Sequence, residues 1–166
     1  MHVADPGLLS RLLDEHGPAL VLYAQQSCDS PEDVVQEAFI RLTQQRPLPV
    51  NIVGWLYRVV RNGAVSASRS TARRSRHESA AAGQRELWFK PAADDALDSR
   101  VAAAALADLP VEEREVVVLR IWSGRSFEEI AELIGMSTST AHRRFENGIR
   151  ALRAACMHDL NRGSET

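Results

Sequence analysis

Aromatic residues make up only 5% of this chain, lysine occurs once and cysteine twice. Each scarcity closes off a class of protein. With so few aromatics, Ala, Leu and Val carry most of an apolar content of 45%. That composition favours small helical bundles over β-sandwiches and argues against wholesale disorder. Cys28 and Cys156 stand alone with no CxxC spacing. They read as inert thiols of a reducing cytoplasm, not as a disulfide framework. No apolar run approaches the ~18 residues of a membrane span. The N-terminus, MHVADPGLLSRLLDEHG, lacks a basic segment followed by an apolar one, so export and membrane insertion are not expected. Gly-rich phosphate loops and nucleophile motifs are missing too. His2, His16, His77, His142 and His158 are scattered, and none is read as standing by a Cys or Asp at ligand spacing. Neither a metal nor a cofactor is expected, and nothing marks the chain as an enzyme.

What is present is an uneven distribution of charge. The formal net charge is −2, from 20 basic and 22 acidic residues. Residues 1–50 hold three arginines against seven acids, whereas residues 51–76 hold six arginines and no acid. Residues 77–136 are acidic again, and residues 137–166 carry five arginines and three acids. Two cationic segments therefore alternate with two anionic ones. Nineteen of the twenty cations are arginine, whose planar fork suits phosphates and guanine edges better than lysine does.

The apolar pattern is helical nearly throughout. Asp5-Pro6 predicts a helix start, with Leu8, Leu9, Leu12 and Leu13 as its stripe. Gly17-Pro18 predicts an interruption, with a second helix running to about Gln26. Ser30-Pro31-Glu32-Asp33 is a cap, an N1 proline and two acids facing the helix dipole. Val34, Val35, Ala38, Phe39 and Leu42 then form the expected buried face. Pro47 and Pro49 make residues 46–50 a loop. Asn51 is placed to cap a helix that carries Ile52, Trp55, Leu56, Val59 and Val60 inward. Residues 77–96 lose periodicity and read as a linker. Helical periodicity resumes at Leu97, and a helix is expected from Val111, closed by Ser123-Gly124.

The most informative stretch is SFEEIAELIGMSTSTAHRRFENGIRALR, residues 126–153. Ile130, Ala131 and Ile134 form an apolar stripe. Gly135 can take the left-handed conformation of a helix stop, and Ser137 can cap the helix that follows. That helix opens with Thr138, Ser139, Thr140, His142, Arg143 and Arg144. Hydroxyls and guanidinium groups near a helix N-terminus are the chemistry of major-groove reading. The segment thus reads as a helix-turn-helix, and the fold class as all-α. Two small helical domains are expected: an N-terminal bundle over 1–76 and a C-terminal four-helix domain over 97–166, joined by the 77–96 linker.

Three segments, in order, resemble the extracytoplasmic-function (ECF) sigma factors of the sigma-70 superfamily. SPEDVVQEAFIRL at 30–42 is similar to their polymerase-docking helix. GWLYRVVRN at 54–62, running to Arg76, resembles their promoter-melting and −10-reading segment. Residues 105–153 resemble their region 4, which reads the −35 element. The resemblance implies a specificity subunit that binds core RNA polymerase and promoter DNA in the cytoplasm, and is not itself an enzyme. An anti-sigma factor or other specialised regulator is a further implied partner. By matching position, Asp33, Gln36, Glu37, Phe39 and Arg41 are implied to dock on polymerase. Arg46, Asn51, Arg58, Arg61, Asn62, Arg69, Arg73 and Arg74 are implied to face −10 DNA. Ser137, Thr138, Ser139, Thr140, His142, Arg143 and Arg144 are implied on the −35 side, with Arg144 on phosphate or in packing. Three positions depart from the family pattern: Gly63 replaces a larger apolar residue, Ser66 an acid, and Ala141 a β-branched residue. The residues alone leave a second reading open, a stand-alone helix-turn-helix regulator whose residues 1–76 serve dimerisation or sensing.

Overall fold

The computed structural model describes residues 5–77, 102 and 104–162, and every regular element among them is helical. The chain divides into two compact units, Met1–Gly83 and Gln84–Thr166. The expected linker, 77–96, lies outside the described residues except for His77, which ends a helix. No helix among the described residues is long and apolar enough to cross a membrane.

The first unit packs three helices, each against the other two: α1 (Pro6–Gln25), α2 (Pro31–Gln44) and α3 (Ile52–His77). The expected break at Gly17-Pro18 does not occur, and α1 runs through Pro18 as one helix. Pro18 has no N–H for the Asp14 carbonyl, a loss of about 3 kcal/mol in a helix interior. The segment beyond it buries Leu20, Tyr23 and Ala24 on the same face as Leu12. At ~1.5–3 kcal/mol per large apolar side chain, that burial outweighs the proline. Tyr23 meets Tyr57 of α3 with ring centroids 5.5 Å apart. Helix α2 starts as expected at Pro31, yet the Ser30 hydroxyl makes no capping bond. Val35, Ala38 and Leu42 of α2 and Leu56, Tyr57, Val60 and Ala64 of α3 complete the core.

Helix α3 continues without interruption past Gly63 to His77. A methyl group at Gly63 would lie 2.9 Å from Val34 Cγ1 of α2. The residue that departs from the family pattern is thus the one that lets α2 and α3 approach. Its cost in helix propensity, roughly 1 kcal/mol, is set against that contact.

The second unit has a helical segment at 104–108, then α4 (Val111–Ile121), α5 (Phe127–Ile134) and α6 (Thr138–Arg162). Val116–Leu119, a run with strand propensity, is fully buried inside α4. With Ala105, Leu106, Leu109, Ile130, Ala131 and Ala141 it forms the core. Arg114 is buried as well, its Nη1 donating to the Ala107 carbonyl at 2.9 Å. Helices α4 and α6 meet closely at Gly148, where an added methyl would stand 2.7 Å from Val117 Cγ2.

Candidate nucleic-acid interface

Helices α5 and α6 form the helix-turn-helix, and each joint has a chemical cause. Ser126 and Glu129 make a reciprocal capping box: the Ser126 hydroxyl accepts from Glu129 N at 3.2 Å, and Ser126 N donates to Glu129 Oε2 at 2.8 Å. Arg125 Nη1 adds an ion pair to Glu129 Oε1 at 3.1 Å. Its own backbone N–H and the Ser126 hydroxyl lower the pKa of the Glu128 carboxyl from its ordinary value. Gly135 ends α5 at φ 78°, in the left-handed region that favours glycine. Ser137 then caps α6, its hydroxyl accepting from Thr140 N at 3.1 Å and lying 2.8 Å from Thr140 Oγ1.

This geometry sorts the residues expected on the −35 side. Thr138, Ser139, His142 and Arg143 are exposed on the first two turns of α6. Ser137 and Thr140 are engaged with each other in the cap, and the Ser139 hydroxyl, though exposed, lies 3.1 Å from that of Ser137. Arg144 is half-buried and lies towards the packed side, next to buried Ala141 and Gly148 in the helical cycle. The small side chain of Ala141 leaves it fully buried. Phe127, which sequence reasoning passed over, organises the base of this surface. Its ring meets His142 at 4.9 Å and Phe145 at 5.5 Å, and Arg120 stacks over it at 4.9 Å. The two aromatic contacts hold α5 against α6 just beneath the exposed strip, and the cation–π contact ties α5 to Arg120 of α4.

In the first unit, Arg58, Asn62, Arg69 and Arg73 are exposed and recur at i, i+4, i+11 and i+15 of α3, opposite its buried face. Arg61 is half-buried at the edge of this strip. Arg74 stands five residues beyond Arg69, so the helix carries it to the other side. The structure therefore separates it from the residues it was grouped with. Trp55, expected inward, is half-buried on the Arg58 side. Arg46 donates from Nη1 to the carbonyls of Thr43 and Gln45, each at 2.9 Å, closing the C-terminal end of α2. Asn51 caps α3, with Oδ1 accepting from Gly54 N at 2.9 Å. To use that oxygen on a base, Asn51 must give up a cap of ~1 kcal/mol.

On α2, Asp33, Gln36, Glu37 and Arg41 are exposed on one face. Glu37 and Arg41 pair at 2.8 Å, both more than half exposed. Such an i,i+4 pair contributes about 0.3–0.5 kcal/mol, so a partner can reopen it at little cost. Phe39 is half-buried between this face and the core.

Comparison with known proteins identifies the chain. The sigma-70 region 2 family model matches residues 12–74, and the sigma-70 region 4 model matches residues 99–152. The ECF RNA polymerase sigma factor SigL of Mycobacterium tuberculosis is 32% identical over 158 residues, spanning 90% of this chain and 89% of SigL. The chain belongs to the ECF sigma factor family. The ECF RNA polymerase sigma factor SigE of Mycolicibacterium smegmatis is 35% identical over 133 residues, 74% of this chain and half of SigE. Among solved structures, the Bartonella quintana sigma factor RpoE, in complex with the anti-sigma factor NepR, superposes with a TM-score of 0.74. It shares 26% identity, over 88% of this chain and 94% of RpoE. CnrH, in complex with the cytosolic domain of CnrY, shares the fold at a TM-score of 0.64 and 24% identity, over 93% and 91% of the two chains.

Against that family frame, one exposed side chain escaped sequence reasoning. Ile40 sits amid the polar face of α2 and is 45% exposed. Its signal was available: it falls at i+7 from Asp33 and i+3 from Glu37, on the wrong side of an ECF sigma factor helix whose core lies at Val35, Ala38 and Leu42.

Proposed function

We propose that this chain binds core RNA polymerase through the exposed face of α2, faces −10 DNA with the arginine strip of α3, and reads the −35 element with the first turns of α6. It is a sigma factor acting in transcription initiation, supplying specificity to an enzyme that carries the chemistry itself. The observation that carries this is the order of the two matches: region 2 over the unit with the acid-free arginine helix, region 4 over the unit with the helix-turn-helix. Arg58, Asn62, Arg69 and Arg73 suit phosphate neutralisation along one side of a duplex or an opened strand. Trp55, half-buried beside them, offers a ring on which an unstacked base can rest. Thr138, Ser139, His142 and Arg143 supply donors and acceptors for base edges in the major groove.

On this reading the domains run 1–76 and 97–166 with a linker between them, and the protein works in the cytoplasm beside its polymerase. The Bartonella quintana neighbour was captured with an anti-sigma factor, which supports an inhibitory partner of that kind here. Run-off transcription with core enzyme tests the proposal. A promoter-dependent product should appear only when the chain is added. Failure to bind core, with no such product from any promoter fragment of the native genome, refutes it.

A further inference from the structure

The exposed strip of α6 carries one group with no role in the account so far. Between Glu132 and Asp159 the only acid is Glu146, set among Arg143, Arg144, Arg150 and Arg153. It stands in the middle of the strip, with exposed His142 and Arg143 one turn before it and exposed Arg150 one turn after. Its side chain is 57% exposed, and its Oε1 lies 3.6 Å from His142 Nδ1. That separation is beyond hydrogen-bond length, so both carboxylate oxygens keep acceptor capacity. Glu146 is about 12 Å along the axis from Thr138, still within what a helix presents to one major groove.

A carboxylate pressed against DNA is repelled by phosphates unless the groove floor supplies a donor. Guanine offers only acceptors there, and thymine an acceptor and a methyl group. Adenine sets its N6 donor beside the N7 acceptor, which faces the second carboxylate oxygen. Cytosine presents the N4 amine without that opposition. We propose that Glu146 is a specificity-determining residue that selects a cytosine in the −35 element through its N4 amine. The proposal rests on α6 being the −35-reading helix.

The test uses the full chain with core polymerase and a library of duplexes randomised across the −35 region. The wild type enriches cytosine at one position. Glu146→Gln moves the preference there to adenine, because a glutamine amide pairs with N6 and N7 together. Glu146→Ala loses the preference at that position by roughly tenfold while the others persist. Unchanged helicity by circular dichroism shows that each variant folds. Identical enriched sequences from all three proteins, with the alanine variant merely tighter on every one, would overturn the proposal. If the wild type itself enriches no motif with polymerase present, promoter reading by α6 fails and the cytosine contact falls with it. That outcome shows in the wild type, before any variant is compared.

Discussion

Replacing Gly148 with alanine sets a methyl group 2.7 Å from Val117 Cγ2, 3.6 Å from Leu109 Cδ1 and 3.7 Å from Glu113 Cβ. Nothing on this side can yield cheaply. Val117 is fully buried in α4, and Leu109 is 7% exposed. A valine in a helix is held to one χ1 rotamer, so it cannot swing clear. Overpacking costs about 1–3 kcal/mol, and a 2.7 Å approach to a side chain that cannot rotate away falls in the upper part of that range, about 2–3 kcal/mol. The gain in helix propensity from Gly to Ala returns about 1 kcal/mol. The expected net is a loss of about 1–2 kcal/mol, or ~5–10 °C in the melting temperature of a unit this size. Val117→Ala alone should cost about 2–3 kcal/mol through lost burial and a cavity. In the double variant the new methyl occupies part of that cavity. The pair should therefore be destabilised by at least ~1 kcal/mol less than the sum of the singles. Thermal melts with peptide-resolved hydrogen exchange locate the loss in α4 and α6. A Gly148→Ala protein as stable as the wild type, or strict additivity in the double variant, would refute the packing argument.

Four further outcomes follow from the same geometry. Gly63→Ala should destabilise the first unit by less than Gly148→Ala, because Val34 is only half-buried. Adding Val34→Ala should restore it, as read by the same melts. Arg73→Ala in the polymerase complex should lower the slope of log affinity against log salt by about 0.9. Arg74→Ala, on the other side of α3, should leave that slope unchanged. Ile40→Asp should weaken binding to core polymerase by about 1–2 kcal/mol, roughly five- to thirty-fold, in a pull-down titration. Burial raises the thiol of Cys28 above its usual range, and the thiol donates to the Ala24 carbonyl at 3.4 Å. A raised thiol pKa favours the neutral form in the folded state. Its contribution to stability holds at neutral pH and fades as the pH rises past the unfolded value. Iodoacetamide at pH 8 should therefore label Cys28 more slowly in the folded protein than after denaturation.

Local chemistry made much of this protein legible. Pro6, Pro31, Asn51 and Val111 begin or cap helices where the residue types predict them, and Gly135 and Ser137 shape the turn before α6 as expected. These features depend on a residue and its near neighbours, so a linear reading reaches them. Several of the failures involve a partner distant in sequence. Pro18 looked like a break because the packing of Tyr23 against Tyr57 that carries the helix on beyond it is invisible in a local window. Gly63 looked like a cost in helix propensity until Val34 supplied the reason for it, and the approach of Val117 to Gly148 had no sign in the local pattern. Trp55 looked like core because tryptophan is apolar, yet its register with Arg58 carries it to the rim. The capping box was within reach, since Ser126 and Glu129 have the required spacing.

On the proposed function, the two cationic helices engage promoter DNA as parts of the polymerase assembly and not on their own. A gel shift measures this most directly, with one promoter fragment tested against the chain alone, core polymerase alone, and the two together at physiological salt. The account predicts a sequence-dependent shift only in the mixture. A tight shift by the isolated chain on a palindromic site, unaffected by polymerase, would contradict it and favour a free-standing regulator.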